Sequence, residues 1–526
     1  MSASRLLALA LFSLTAPLVR AETPPSRHVV VVVWDGMRPD FISERTTPNL
    51  WALSQEGVFF QNHHPVYTSS TEVNGTAIAT GAYPEHSTII GNVEFRPRID
   101  PQMTVAMEKP ENIRKGDRLG EPGYVAVQTV AEFLHAHAVR TAIAGSKPVV
   151  LLGDRAARPN APESSPILYD GAALPPITEL TVAAAIGDNP APAPDGGTVK
   201  PNKTAKDAWT TRALTQVLWK DGVPAYSQLW LSEPDFSQHA TGPGSAQSLA
   251  AIRSSDANLG TVLSELDKRG LRGSTDVIVV SDHGFSTVSD AADIATDLST
   301  SGFSASRAAL GGLKDGQILV LSNNGSVFFY VGGHDPERIR KVAFWAQTQP
   351  WAGVVFSKTG IEGTFDLSEA KIASAESPDL VVSMRWTLGL NAAGAPGLIF
   401  TDGTAYGVGQ GAHASLCPTE MHNSLVAAGP DFKQGVRDVM ASGNVDIAPT
   451  VLWILGYHAE ALRRDGRVLG EAMRGEAPPL KSYETRRLVA SRSTLGGQWA
   501  QYLLVTEVNG VRYLDEGNGS FKLTKK

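Results

Sequence analysis

The sequence predicts an α/β protein with a central, mostly parallel sheet between helices and a cap inserted into it. Three observations lead there. Continuous β-branched or apolar runs recur, as suits strands buried on both faces. Each run ends in a polar cluster containing Asp. Helical patterns alternate with the runs, the rhythm of a sheet whose crossovers are helices.

The first run is His28-Val29-Val30-Val31-Val32-Val33-Trp34, followed by Asp35-Gly36. Thr46 to Glu56 reads as a helix that opens on capping residues and stops at Gly57. Ala205 to Trp219 and Ser248 to Lys268 carry helical apolar spacing on either side of the run Tyr226 to Leu231, which leads into Glu233-Pro234-Asp235. Asp276 to Val280 is a further buried strand, ending in Ser281-Asp282-His283-Gly284. Asp446 to Gly456 reads as a short buried helix closed by glycine. Open parallel sheets bind ligands beyond the carboxyl ends of their strands, so three strand ends bring carboxylates to that edge.

Two stretches break the rhythm. Residues 93–204, with a Pro-rich segment at Asp188 to Pro201, read as a loop-rich insertion. Residues 286–405 lie between motif segments, hold strand-like pieces at Ser326 to Val331 and Asp379 to Met384, and read as a cap or lid. A catalytic domain over 22–475 is therefore expected, followed by a tail, 476–526. Two alternating runs around Asn509-Gly510 mark a β-hairpin in that tail.

Composition narrows the function. The 526 residues carry a formal charge of −7, with 42% hydrophobic and 19% charged residues. That allows a large core and argues against an electrostatic nucleic-acid binder. The single cysteine, Cys417, excludes a disulfide framework or a thiolate-rich cluster, so any metal must use His and carboxylates. Arg5, the apolar stretch Leu6 to Val19 and small residues near Ala21 describe a signal peptide over 1–21. No apolar run of about 20 residues follows, so no membrane span remains after its removal. An exported chain with one cysteine points to a periplasmic or secreted enzyme.

Chemistry-bearing residues gather at the strand ends. Asp235-x-x-x-His239 puts a carboxylate and an imidazole one helical turn apart. Asp282-His283 offers adjacent ligands, Asp35 ends the first strand, and His413 follows the glycines of Gly409-Gln410-Gly411. Three Asp and three His suffice for two zinc sites of three protein ligands each, the number that leaves a catalytic zinc an open position.

The order of these segments resembles the alkaline phosphatase superfamily, most closely its nucleotide pyrophosphatase/phosphodiesterase branch. The matching pieces are Val33 to Arg38, Thr47 to Leu50, Thr71-x-x-Asn74, Ala79 to His86, Ile90-Gly91-Asn92, Glu233 to His239, Ser281 to Gly284 and Gly411 to His413. The resemblance implies an alkaline-phosphatase-like fold and two zinc ions. One would be held by Asp235, His239 and His413. The other would be held by Asp35, Asp282 and His283, with the Thr71 hydroxyl as its reacting ligand. It further implies Thr71 as nucleophile and Asn92 as donor to a phosphoryl oxygen. Thr68, Ser69 and Ser70 are rival hydroxyls on chemistry alone; only the spacing to Asn74 and Thr80-Gly81 selects Thr71.

This set implies phosphodiester or phosphoanhydride hydrolysis of a small-molecule ester through a phosphothreonine, with activity rising toward alkaline pH. Two departures bear on specificity. Glu72 stands where the branch often has an aromatic residue that stacks a base; Tyr67, Tyr83 or a lid aromatic could replace it. Lys147, after a strand-like segment, could reach the phosphate, which keeps a phosphomonoesterase or phosphonate hydrolase as the alternative. His422 reads either as orienting a ligand or as a helix start. His63, His64 and five other histidines have no ligand at local spacing and read as structural.

Overall fold

The protein is described by a computed structural model over residues 27–120, 123–155, 165–190 and 203–524. The expected signal peptide lies outside the described residues. Among those described, no helix is long and apolar enough to cross a membrane.

The sheet that positions the site has nine strands: β1 His28–Trp34, β2 Val58–Phe60, β3 Thr141–Gly145, β4 Ile167–Tyr169, β5 Ala172–Leu174, β6 Tyr226–Leu231, β7 Thr275–Val280, β8 Leu425–Ala428 and β9 Val436–Asp438. Their order is β9-β2-β8-β7-β1-β6-β3-β4-β5. The five strands from β7 to β4 run parallel, and β8 joins β7 antiparallel. Every residue of β1, β6 and β7 is buried, because helices cover both faces of the sheet. Side chains alternate between two cores, with Val29, Val31 and Val33 on one face and Val30, Val32 and Trp34 on the other.

The stretch 93–204 does not stand outside this sheet. It supplies β3, β4 and β5, with β3 parallel to β6 from Thr141↔Tyr226 to Gly145↔Trp230. Its strands are only three to five residues long, and β3 and β5 are rich in Ala, so none shows the long β-branched run that marked β1 and β7. Within 286–405, Ser304–Ser306, Gln317–Asn323, Ser326–Val331, Ala352–Ser357, Phe365–Asp366 and Leu380–Met384 build a separate six-stranded sheet. The tail forms three strands rather than two. Gly497–Val508 and Val511–Leu523 meet at Asn509-Gly510, and Tyr483–Thr494 pairs along the full length of the first. That added strand is mostly exposed and rich in charge, with only Leu488 and Ala490 of its apolar residues packed inward, so its apolar pattern is too short to mark it.

Candidate metal centre and active site

Strands β1, β6 and β7 end side by side and deliver the acidic residues to one place. The Asp35 N–H donates to Leu231 O at 3.1 Å, and the Asp235 N–H donates to Asp35 O at 2.9 Å, so the two strand ends are tied together. Gly36 turns with φ 74° close against Phe285; a Cβ there would come within 2.9 Å of that ring. Asp235 then opens helix α2, Asp235–Thr241, and His239 lies one turn along.

Each carboxylate is held by one oxygen and free at the other. Asp35 Oδ2 accepts from Trp230 Nε1 at 3.0 Å and Lys147 Nζ at 2.7 Å. Asp235 Oδ2 accepts from the same ammonium at 3.0 Å. Asp282 Oδ1 accepts from the Gly36 and His283 N–H groups at 2.9 and 3.0 Å. Asp35 Oδ1, Asp235 Oδ1 and Asp282 Oδ2 are buried with no hydrogen-bond partner. An unpaired buried acceptor is costly, which makes these oxygens the ones to explain.

The imidazoles are fixed in a matching way. His239 Nδ1 donates to Gly411 O, His283 Nδ1 to Gly284 O and His413 Nδ1 to Ser69 O, each at 2.9 Å. Because a carbonyl only accepts, Nδ1 carries a proton, and in the neutral ring each Nε2 turns a lone pair inward. Those lone pairs face the unpaired oxygens. His239 and His413 Nε2 lie 3.2 and 3.7 Å from Asp235 Oδ1. His283 Nε2 lies 3.2 Å from Asp282 Oδ2 and 3.6 Å from Asp35 Oδ1. Acceptors pointed at acceptors repel unless a cation lies between them, so the donor set fits divalent metal and its N/O composition suits zinc. Asp35, Asp282 and His283 form one close group; Asp235 and His413 form another with His283 at the junction.

The electrostatics tell the same story. Burial, then Asp235 and Asp282, push the Asp35 carboxyl well above the carboxylate range. Burial pushes Asp282 up to about 7. Burial also works against a charged Asp235, but Lys147 and then His239 outweigh it and hold Asp235 well below its usual value. Burial lowers His283, and burial with the two neighbouring imidazoles lowers His413 well below the usual range. Lys147 alone cannot neutralise three carboxylates in so small a volume.

Thr71 begins helix α1, Thr71–Thr80, and its Oγ1 lies 3.3 Å from His283 Nε2. Its rivals are committed elsewhere. Thr68 Oγ1 donates to Ile90 O at 2.8 Å, Ser69 Oγ donates to Ser415 O at 2.9 Å, and Ser70 Oγ pairs with Thr68 Oγ1. The preceding loop is clasped by Asn74, whose Oδ1 accepts from Val66 N at 2.7 Å and whose Nδ2 donates to Val66 O and Ser70 O. Gly75 lets α1 press on the sheet, since a Cβ would meet Val149 at 2.9 Å and Trp230 at 3.2 Å. Asn92 Oδ1 accepts from the Glu72 N–H at 3.2 Å, placing the amide beside the helix N-terminus.

Glu72 is buried with Oε2 unpartnered; burial and then Glu108 raise its carboxyl well above the usual range. Tyr67 and Tyr83 cannot serve as a platform for a base. Both are buried, with their hydroxyls 2.7 Å from Ser326 Oγ and 2.6 Å from Arg512 O. Instead, Tyr406 stacks on His239 with centroids 4.0 Å apart, and half-buried Phe236 faces the Lys147 and Lys203 ammonium groups at 5.5 and 4.7 Å. Sequence reading missed Glu108, Tyr406 and Phe236; only adjacency to Asp235 and to the Gly409 loop could have marked the two aromatics. His422 sits against His64, 4.7 Å between centroids, rather than against a residue of this cluster.

The chain is similar to known proteins in sequence and in fold. The profile described as type I phosphodiesterase / nucleotide pyrophosphatase matches residues 29–393. Human ectonucleotide pyrophosphatase/phosphodiesterase family member 1 is 23% identical over 269 residues, 50% of this chain and 24% of that protein. Mouse family member 7 is 23% identical over 286 residues, 54% of this chain and 55% of that protein. The chain thus spans between about a quarter and about half of the length of these relatives. Among solved structures, murine ectonucleotide pyrophosphatase/phosphodiesterase 5 superposes with a TM-score of 0.58 at 16% identity, covering 82% of this chain and 95% of that one. Its human counterpart gives 0.55 at 15% identity, with the same coverage. The fold is therefore the alkaline-phosphatase-like one that the motif order implies. With the profile spanning most of its length, the chain belongs to the type I phosphodiesterase/nucleotide pyrophosphatase family.

Proposed function

We propose that the protein is an exported, zinc-dependent hydrolase of phosphodiester and phosphoanhydride bonds that works through a phosphothreonine on Thr71. One observation carries the reading. Three unpaired carboxylate oxygens and three inward Nε2 lone pairs converge beside a single hydroxyl at a helix N-terminus. Asp35, Asp282 and His283 would hold one zinc with the Thr71 hydroxyl, and Asp235, His239 and His413 the other. Bound there, the ions would lower the pKa of hydroxyl and water and offset charge on the phosphoryl oxygens.

The chain's own groups do the rest. Thr71 Oγ1 attacks phosphorus, the bond to the leaving alcohol or nucleotide breaks, and water then cleaves the phosphothreonine from the opposite side. The N-terminus of α1 favours negative charge at the attacked phosphoryl group. With its Oδ1 taken by the Glu72 N–H, Asn92 has Nδ2 left to donate to a phosphoryl oxygen, a contribution of about 3 kcal/mol in the transition state. Lys147 is engaged by Asp35 and Asp235, and the Glu72 and Glu108 carboxyls lie alongside. Such surroundings suit a diester monoanion better than a monoester dianion.

The test compares turnover of bis-p-nitrophenyl phosphate and p-nitrophenyl phosphate by the full-length enzyme. Preference for the diester supports the reading; faster monoester turnover favours the phosphomonoesterase alternative.

A further inference from the structure

A second convergence of metal-ligating side chains lies outside the reaction centre and uses none of its residues. The ligand atoms of His64, His422 and Asp515 all lie within 4.8 Å of one another. They come from three distant parts of the chain: the short strand His63–His64, the end of the helix Pro418–Met421, and the strand Val511–Leu523 of the C-terminal sheet.

The proton inventory is the argument. His64 Nδ1 lies 2.9 Å from Ser442 O, a carbonyl that can only accept, so Nδ1 carries the proton. Nε2 of the same ring points at Asp515 Oδ1 from 3.0 Å. In a neutral ring that nitrogen would turn a lone pair toward the carboxylate, here at hydrogen-bond geometry, unlike His239 with Asp235 and His283 with Asp282, whose facing oxygens have no partner. Something positive must lie between them: either a second proton on His64 or a metal ion. A proton would need only Asp515. It would not account for the second imidazole, His422, brought to 4.7 Å from the His64 ring. The adjacent His63 shows how an ordinary buried histidine is satisfied here, by Ser442 Oγ at 2.9 Å and Asn444 Oδ1 at 3.0 Å.

Two further features fit a metal. Asp515 Oδ2 accepts from Thr506 Oγ1 at 2.8 Å, so the carboxylate is oriented from behind as ligating carboxylates are. Tyr513 stacks on His64 at 5.7 Å and shields it. Tetrahedral zinc spaces its donors by about 3.4 Å, a short contraction from the observed group.

We propose that His64, His422 and Asp515 bind one divalent cation, zinc by its two-nitrogen, one-oxygen donor set, which clamps the C-terminal sheet to the catalytic core. The clamp reaches the reaction centre through one residue. Asn423, next to His422, donates to Ser281 O and to Asn444 Oδ1, and Asn444 Nδ2 donates to Asp282 O at 2.6 Å.

The experiment counts zinc per chain by plasma mass spectrometry, after the full-length protein is equilibrated with zinc and desalted. His422→Ala should carry one ion fewer than the wild type. The double variant Asp35→Ala/Asp282→Ala should lose ions from the reaction centre and keep this one. Equal zinc in wild type and His422→Ala overturns the proposal and assigns the His64–Asp515 pair to a proton. Equal zinc in wild type and the double variant would count against the reaction-centre reading while leaving this one standing. Should His422→Ala not fold, anomalous scattering at the zinc edge from wild-type crystals decides. A peak between the three side chains supports the site, and its absence refutes it.

Discussion

Replacing Asn74 by Ala tests whether the loop that leads into Thr71 is held by one buried amide. Asn74 is fully buried one turn into α1. Its Oδ1 accepts from Val66 N at 2.7 Å and from Asn444 Nδ2 at 3.0 Å. Its Nδ2 donates to Val66 O at 3.0 Å and Ser70 O at 3.1 Å. Alanine would leave two buried donors short of a partner and weaken the bonding of the Val66, Thr68 and Ser70 carbonyls, of which Ser70 O keeps the residue 74 N–H at 3.0 Å. An unsatisfied buried donor costs about 1–3 kcal/mol and a weakened carbonyl bond about 1 or less. Because these bonds share one side chain, they are not additive, and a loss of about 4 kcal/mol is expected. That is a large part of the 5–15 kcal/mol typical of a folded domain. Urea unfolding, with the slope checked for constancy, measures it. Asn74→Asp, which keeps the acceptor and loses the donor, should fall between. A loss below about 1 kcal/mol for Asn74→Ala would refute the clasp, and with it the account of how Thr71 is aimed.

Other outcomes follow from the same structure. Thr71→Ala should lose at least about 1000-fold in turnover while binding as much zinc as the wild type apart from the lost hydroxyl contact; retained turnover would remove Thr71 as the nucleophile. Gly75→Val should destabilise the protein by about 1–3 kcal/mol in thermal unfolding, because the added methyls meet Val149 and Trp230. Turnover against pH should climb toward alkaline values, and a flat or acid-favouring profile would contradict alkoxide chemistry. Burial raises Glu420 to about 7 from an ordinary value near 4.5, so the folded state holds a proton there that the unfolded state gives up. Stability contributed by this group is therefore lost as pH rises from about 4.5 through 7, and Glu420→Gln should flatten that slope in denaturant titrations across the window.

How much of this was visible beforehand depends on the range of the interaction. Asp35, Asp235 and Asp282 announce themselves because each follows a buried apolar run, and such runs end at the ligand-binding edge of the sheet. His239 is legible through helical spacing and His283 through adjacency. The devices that aim the imidazoles are not legible, since Gly411 O, Gly284 O and Ser69 O are backbone atoms that any residue would supply. β3 is legible as a strand-like segment before Lys147, but its place in the central sheet is not, because Thr141-Ala142-Ile143-Ala144-Gly145 buries little apolar bulk and joins the sheet only by lying beside β6. The pairing of His64 with Asp515 spans 451 positions, far beyond any local pattern. Lys147 reads from the sequence as a cation that could reach a phosphate, but its bridge between two carboxylates needs three strand ends placed in space.

The three-stranded C-terminal sheet also bears on how this chain can be shortened. Tyr513 donates to Asp446 Oδ2 at 2.7 Å, and the Arg512 backbone both accepts from and donates to the Tyr83 hydroxyl. A protein trimmed near residue 475 to ease crystallisation would therefore strand Asp446, Tyr83 and His64 without their hydrogen-bond counterparts. The outermost strand, Tyr483–Thr494, faces solvent along most of its length and is the safer place to attach a tag or splice a reporter.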